Sequence, residues 1–221
     1  MHRLAIYDMD KTITRGATWT PFLTTWATQR RWGLLRLLAT SWPAALYLAK
    51  RIDRARLKEM SQRLVMGDRA RMSSVEEVAA RFAERIVAQE VGVDARTRIA
   101  ADKDEGYRIV IATASYDFYV RPIAQGLAIG DVIATPSTVE GDLLVPKIAG
   151  ENCYKDAKLR MILDWMAAQG IDRGEAHVRF YSDHISDAPT LGWANEAFAV
   201  NPDKHLAVLA RKKGWPILRW R

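Results

Sequence analysis

The stretch that decides the fold is Leu4-Ala5-Ile6-Tyr7-Asp8-Met9-Asp10-Lys11-Thr12, in which an apolar run leads directly into two carboxylates. The run over residues 4–7 predicts a short buried strand, and open α/β sheets bind ligands where such strands end. Residues two apart on a strand point the same way, so Asp8 and Asp10 are expected to face one site. Such a pair can hold a hard cation or divide nucleophile and acid roles. For this motif taken alone, a solvated turn is the alternative.

A second strand-like run ends in small hydroxyl residues. The β-branched run Arg108–Ala112 predicts a strand, and Thr113-Ala114-Ser115 follows it. Lys158 comes later in the chain, within residues 153–169, which are predicted to form a helix. A single threonine or a single helical lysine would not indicate a function. These residues are informative only because of their order in the chain.

A third apolar run, Phe180-Tyr181-Ser182, again leads into spaced carboxylates, Asp183 and Asp187. The ordered set D-x-D-x-T, strand-Thr, Lys and D-x-x-x-D resembles the haloacid dehalogenase superfamily, and most closely its subfamily IB phosphatases, which include phosphoserine phosphatase. The resemblance runs from Leu4 to about Val200. It implies an α/β fold, with a doubly wound parallel-sheet core and an inserted α-helical cap domain.

The resemblance also implies a mechanism. Asp8 is expected to be the nucleophile that forms an aspartyl-phosphate, and Asp10 the acid that protonates the leaving oxygen and then the base that activates water. Thr113 is expected to donate its hydroxyl to a phosphoryl oxygen. Lys158 is expected to neutralise the phosphate and Asp8, and Lys155, one helical turn earlier, is the rival lysine.

A magnesium ion is the cofactor that the resemblance implies. Its expected ligands are Asp8, the backbone carbonyl of Asp10, and Asp183. Asp187 is expected to interact with these ligands without contacting the ion itself. Helix N-capping is the alternative role for Asp183 and Asp187. Four further residues are expected near the phosphate or substrate, namely Thr12, Ala114, Ser115 and Ser186.

Two departures from phosphoserine phosphatase leave the substrate open. Ala17 stands where that enzyme carries a substrate-binding Glu, and Ser186 replaces the Asn before the last motif aspartate. The expected function is a Mg²⁺-dependent phosphomonoesterase acting on a small phosphorylated metabolite. The alternatives are a lipid-phosphate phosphatase of the phosphatidylglycerophosphate type at the membrane surface, a phosphotransferase, or a non-catalytic module that binds a phosphorylated ligand.

The chain is predicted to form a core domain from residues 1–16 and 92–221 and a helical cap from residues 17–91. Residues 18–90 show helical periodicity and no strand pattern, and Ser73-Ser74 is predicted to cap a helix over 75–89. After residue 92, helices and strands alternate as in a parallel sheet, with a hairpin turning at Gly141. The cap is expected to select the substrate, while the core carries every catalytic group.

An apolar stretch within the predicted cap raises the question of membrane contact. Residues 32–49 approach transmembrane length, but Arg36 and Pro43 interrupt them. A buried hairpin is the preferred interpretation. Peripheral contact with a membrane, anchored by Trp32, Trp42 and Tyr47, is the alternative.

Composition narrows the remaining classes. The chain has 221 residues, of which 49% are hydrophobic, and one cysteine, Cys153, which fits a reducing compartment. With no visible signal peptide, a cytoplasmic location is expected. The net charge of +7 favours anionic partners, but no nucleic-acid-binding motif is present. A solvated face is expected to account for most of the basic run over residues 51–58.

Overall fold

The computed structural model describes all 221 residues. Nine strands, β1 to β9, span His2–Tyr7, Ala70–Arg71, Arg108–Tyr116, Asp131–Thr135, Ser137–Glu140, Leu143–Ile148, Ala176–Ser182, Glu196–Val200 and Ile217–Leu218. Ten α-helices, α1 to α10, span Trp19–Ala27, Gly33–Leu38, Ser41–Leu48, Arg54–Met66, Met72–Gln89, Val93–Asp104, Asp117–Gly126, Asp156–Ala168, Ala188–Trp193 and Lys204–Lys213.

Six strands form one sheet in the order β4-β3-β1-β7-β8-β9, and every neighbouring pair is parallel. Leu4 and Ile6 of β1 belong to the hydrophobic cluster that includes α8, α9 and α10. Ala5 and Tyr7 belong to the cluster on the opposite face, with α6 and α7. Helices therefore cover both faces, as a parallel sheet requires. The predicted doubly wound α/β fold is confirmed.

A small antiparallel sheet, in the order β2-β6-β5, lies beside the main one. The predicted hairpin is confirmed as β5 and β6, which turn at Gly141 with a positive φ of 64°. Strand β2 pairs Ala70 with Leu144 and Arg71 with Leu143. The prediction that residues 18–90 contain no strand is therefore wrong, because a strand of two residues is too short to show alternation.

Helix α5 begins earlier than predicted. The backbone N–H of Met72 donates to the carbonyl of Asp142 at 2.8 Å, so β2 passes into the helix without a break. Arg71 occupies the N-cap position, and no side chain caps this helix. Ser73 and Ser74 lie in the first turn, and their predicted capping role is wrong.

Helix α8 begins later than predicted, at Asp156 rather than Cys153. The N–H of Cys153 donates to Thr135 Oγ1 at 3.1 Å, which attaches this residue to β4. Lys155 then adopts a φ of 55°, and this left-handed residue turns the chain into the helix. Strand β3 also continues past the predicted end, to Tyr116.

Helices α1 and α5 share a hydrophobic core with the sheet. The ring of Phe22 in α1 lies 5.0 Å from that of Tyr119 in α7 and 5.4 Å from that of Phe82 in α5. Phe22, Leu23 and Trp26 are all buried, and Trp19 is partly buried, so one side of α1 faces this core. The inserted segment is therefore packed onto the sheet through a common aromatic cluster.

The inserted segment leaves and rejoins the core at one place. The N–H of Arg15 donates to the carbonyl of Glu90 at 2.8 Å, and Thr14 forms a β-bridge with Val91. The division into a core of residues 1–16 and 92–221 and a cap of residues 17–91 stays a prediction.

Residues 32–49 do not form a buried hairpin. They form two short helices, α2 and α3, which pack on α4. The large apolar side chains on their outer side are 57–79% exposed, namely Trp32, Leu34, Leu35, Leu38, Trp42 and Leu48. The predicted burial is wrong, because only Gly33 and Pro43 of the two helices are buried. None of the chain's helices combines the length and the apolar character needed to cross a membrane.

Candidate active site

A cleft of about 200 Å³ opens at the carboxyl edge of the parallel sheet, where β1, β3 and β7 end. This is the edge at which open α/β sheets bind their ligands. The residues that line the cleft are Asp8, Asp10, Lys11, Ala17, Arg54, Thr113, Ala114, Tyr154, Lys158, Asp183, His184, Ser186 and Asp187.

Lys158 joins the first and last carboxylate motifs. Its Nζ donates to Asp8 Oδ1 at 2.9 Å and to Asp187 Oδ2 at 2.6 Å, and the lysine is 2% exposed. Ser182 Oγ donates to the same oxygen of Asp187 at 2.7 Å. Asp183 lines the same cleft. One buried ammonium group therefore bonds to two of the three carboxylates that cluster here.

The burial and close spacing of these carboxylates shift their pKa values. Burial raises the pKa of Asp8 to about 6, although Lys158 opposes the shift. Burial, together with repulsion from Asp8 and Asp187, raises the pKa of Asp183 to about 8. Burial alone would lower the pKa of Lys158, but Asp187 and Asp8 raise it above its usual range. The lysine is therefore charged, and the site retains an excess of negative charge that a further cation would relieve.

Asp10 is held by hydrogen bonds from two sides. Its Oδ1 accepts from the backbone N–H of Thr18 at 2.9 Å and from the Thr18 hydroxyl at 2.7 Å. Its Oδ2 accepts from Ser115 Oγ at 2.9 Å. Thr18 precedes α1 in the inserted segment, so this segment helps to hold Asp10, while the prediction that the core carries every catalytic group stays a prediction.

The end of β3 supplies the opposite wall of the cleft. Thr113 is buried, and its hydroxyl oxygen accepts from the N–H of Ser115 at 3.2 Å. That hydroxyl keeps its own hydrogen to donate to a ligand. Lys58 of α4 donates to the carbonyl of Ala114 at 2.6 Å and lies 4.0 Å from the centre of the Tyr116 ring.

The basic run over residues 51–58 is only partly solvated. Lys58 is buried, and Arg54 lines the cleft with its guanidinium 4.8 Å from the centre of the Tyr154 ring. For these two residues the predicted solvated face is wrong, because α4 lies across the edge of the sheet and turns them toward the site. Arg51 and Arg56 are exposed, as expected.

Helix capping does not explain Asp187. Although Asp187 occupies the N-cap position of α9, its side chain makes no capping hydrogen bond. Its Oδ2 accepts instead from Lys158 and Ser182, and its Oδ1 is buried without a hydrogen-bond partner. In the preceding turn, Ile185–Asp187, it is the His184 side chain that accepts from the N–H of Ser186.

Of the ten predicted site residues, Thr12 and Ser115 alone lie outside the lining of the cleft. Thr12 is buried, with a hydroxyl that has no partner, and Ser115 contacts Asp10 instead. Five residues that line the cleft or hold Asp10 were not predicted from the sequence, namely Lys11, Thr18, Arg54, Tyr154 and His184. Lys11 and His184 adjoin motif residues, which is the only signal the sequence offered.

The oxygen-rich site fits a magnesium ion. No three His, Cys, Asp or Glu side chains are spaced to hold a metal by themselves. Asp8, Asp10 and Asp183, the residues expected to be its ligands, all line the cleft. Mg²⁺ is usually held by one or two carboxylates, with water and substrate phosphate completing its shell. The unpartnered Oδ1 of Asp187 adds to the negative charge that such an ion would balance.

Comparison with known proteins agrees with this geometry. Residues 5–192 match the family of haloacid dehalogenase-like hydrolases. A probable phosphatase of Mycobacterium tuberculosis is 29% identical over 215 residues, which cover 97% of this chain and 74% of that protein. A solved protein of unknown function from Bordetella pertussis has a TM-score of 0.91 at 21% identity, covering 99% of this chain and 98% of that one.

A solved phosphoserine phosphatase, bearing an analogue of its phospho-aspartyl intermediate, has a TM-score of 0.66 at 16% identity. The match covers 99% of this chain and 93% of that one, and at this identity it shows a shared fold. The chain belongs to the family of haloacid dehalogenase-like hydrolases. Its predicted class, a phosphatase of that family, is confirmed.

The buried ion pairs of Lys158 predict that Lys158 and the nearby Lys155 differ sharply in their contribution to the free energy of unfolding. Lys158→Met should lower the free energy of unfolding by about 3 kcal/mol in metal-free buffer, because two buried carboxylates lose their shared cation. Lys155→Met is the matched control, since Lys155 is exposed, and it should change stability by less than about 0.5 kcal/mol. Urea denaturation measures both. Equal losses would show that the buried ion pairs contribute no stability of their own.

Proposed function

We propose that the protein is a Mg²⁺-dependent phosphomonoester hydrolase that works through an aspartyl-phosphate on Asp8. The observation that carries the proposal is the placement of Asp8, Asp10 and Thr113 around one cleft, with Lys158 bonded to Asp8. The phospho-aspartyl analogue studied in the structurally similar phosphoserine phosphatase supports the same chemistry.

In the first step, a carboxylate oxygen of Asp8 attacks phosphorus and the bond to the leaving oxygen breaks. A carboxylate must be ionised to act as a nucleophile, and the ammonium group of Lys158 favours the ionised form of Asp8 by lowering its pKa against the effect of burial. Thr113 donates its hydroxyl to a phosphoryl oxygen. Lys158 offsets the charge of Asp8, and a bound Mg²⁺ would further reduce the repulsion between this carboxylate and the phosphate.

Asp10 handles the protons of both steps. It gives its proton to the leaving oxygen and then takes one from the water that attacks the phosphorus of the aspartyl-phosphate. That attack breaks the bond between phosphorus and Asp8 and releases inorganic phosphate. Thr18 and Ser115 can accept as well as donate, so they can orient Asp10 in either protonation state.

The exposed apolar side of α2 and α3 favours a lipid phosphate as a second class of substrate. A small phosphorylated metabolite, the first candidate, needs no apolar surface beside the cleft. A lipid phosphate would account for that surface, since its phosphate could enter the cleft while its chains stay in a membrane. Phosphotransfer to an alcohol would follow the same covalent intermediate, and acceptor-dependent products would reveal it.

Asp8→Asn should lower turnover of p-nitrophenyl phosphate by roughly 10⁴-fold or more, because it removes the nucleophile while changing little volume. Asp104→Asn, at an exposed position on α6, is the matched control and should keep full activity. Acid quench of the wild-type enzyme during turnover should trap phosphate on Asp8. Substantial turnover by folded Asp8→Asn would contradict the covalent mechanism.

Thr18→Val should lower turnover by roughly 10- to 100-fold, because Asp10 loses one of the hydroxyls that fix its orientation. The backbone N–H of residue 18 remains available, so the fold and phosphate binding should persist. Steady-state kinetics should show the loss in kcat, with little change in KM. Thr20→Val, at an exposed position of α1, serves as the control. A kcat equal to that of the control would remove Thr18 from the positioning of Asp10.

Mg²⁺ should be required, and Ca²⁺ should inhibit, because Ca²⁺ accepts more ligands at longer distances and could engage both oxygens of Asp8. Asp187→Asn should raise the half-saturating Mg²⁺ concentration by roughly 10-fold. Asp183→Asn should raise it further, since it removes a direct ligand. Activity titrations with both ions measure these effects. Full activity in chelator would contradict the metal requirement.

A further inference from the structure

The outer side of α2 and α3 is an apolar surface that the protein builds and leaves uncovered. This α2–α3 surface comprises Trp32, Leu34, Leu35, Leu38, Trp42 and Leu48, all strongly exposed. These exposed apolar residues all fall between residues 32 and 48 rather than being scattered along the chain. Clusters of this kind on folded proteins mark surfaces that contact another molecule or a membrane.

The two helices are anchored firmly on their inner side. Gly33 packs so tightly that an added Cβ would lie 1.9 Å from the carbonyl oxygen of Ala27, which only glycine avoids. Pro43 is buried, and Leu37 packs against the main hydrophobic cluster. The α2–α3 surface is therefore presented by a fixed part of the fold, and the apolar character of its outer side has no partner within the chain.

The segment of the chain that carries this surface holds only positive charge, and the nearest acidic residue along the chain is Asp53, which follows it. Residues 11–52 contain seven basic residues and no acidic residue, which equals the net charge of +7 of the whole chain. Outside this segment, the remaining basic residues balance the 26 acidic ones. Five of the seven flank the apolar residues, and none of the five forms an ion pair within the chain: Arg30, Arg31, Arg36, Lys50 and Arg51.

The exposed apolar side chains and the positive charge of the segment together favour one kind of binding partner. A second copy of the chain would bring the same positive segment to the contact, without acidic residues to meet it, so self-association is disfavoured. An anionic bilayer offers apolar chains for the leucines and tryptophans and negative headgroups for the arginines and lysines. Tryptophan side chains are also characteristic of the boundary between lipid and water.

We propose that the α2–α3 surface docks on an anionic lipid bilayer. The apolar side chains would enter the boundary between headgroups and acyl chains, while the flanking basic side chains contact anionic headgroups. The docking does not depend on the proposed reaction. Its consequence for the substrate does rest on that reaction: Arg54 of the cleft follows Leu48 by six residues, a span of at most about 22 Å, so docking brings the cleft close to phosphate groups at the membrane.

Vesicle sedimentation of the intact chain tests the proposal. The protein should bind phosphatidylcholine vesicles that contain phosphatidylserine, bind pure phosphatidylcholine vesicles more weakly, and release in high salt because exposed charges are screened. Absence of binding to both vesicle types would overturn the proposal. Asp8→Asn should bind as the wild type does, which separates docking from the proposed reaction.

Matched substitutions locate the surface. Leu38→Ser combined with Leu48→Ser should lower the partition coefficient by at least roughly 10-fold, because two exposed leucines no longer enter the bilayer. Val208→Ser, at an exposed apolar position of α10, should leave it unchanged. Arg31→Gln with Arg51→Gln should weaken binding to anionic vesicles, whereas Lys212→Gln with Lys213→Gln should not.

Two results would refute this assignment of the surface. One is equal vesicle binding by the leucine variant and the Val208→Ser control, with both folded by circular dichroism. The other is that the wild type does not bind vesicles but forms a concentration-dependent dimer or binds an acidic protein. In that case the leucine substitutions would abolish the dimer or the binding. Either result would replace the bilayer with a protein partner.

Discussion

The buried ammonium of Lys158, shared by Asp8 and Asp187, is the interaction that organises the site. It brings together the end of β1, the start of α8 and the turn after β7, three parts of the chain that are far apart in sequence. A buried carboxylate without such a partner would be costly, so this lysine makes the cluster possible. It balances only part of the carboxylate charge, because burial and repulsion from Asp8 and Asp187 still raise the pKa of Asp183 in the same cleft. An excess of carboxylates suits a site that takes up a cation.

The residues that could be predicted from the sequence share one property: each follows a strand of the parallel sheet or belongs to a motif in fixed order. Asp8 and Asp183 directly follow β1 and β7, and Thr113 lies in the last part of β3; these three strands are neighbours in the sheet. Topology then brings them together without detailed knowledge of packing. Thr12 had the same support but lies outside the lining of the cleft, in the tight turn over Met9–Ile13, where Lys11 has a φ of 61°.

What the sequence could not predict depends on contacts between distant elements. Arg54 and Lys58 lie in a basic run that resembles an ordinary solvated helix face, and only the packing of α4 across the sheet edge turns them inward. For the apolar run over α2 and α3 the prediction was wrong in the opposite sense, because burial was predicted and the large side chains are exposed. Hydrophobicity predicts that a segment will avoid water, but it does not specify whether the covering surface lies inside the chain or outside it.

The inserted segment is therefore more than a lid that selects substrates. Thr18 fixes the carboxylate of Asp10, and Lys58 holds the carbonyl of Ala114 next to Thr113, so the segment reaches both walls of the cleft. It also shares an aromatic core with the sheet through Phe22, Phe82 and Tyr119, and buried rings of this kind do not separate without exposing large apolar areas. Opening of the whole segment away from the sheet would therefore expose this cluster to water. Helices α2 and α3 contribute Leu37 to the same core, while their exposed apolar side chains form the α2–α3 surface.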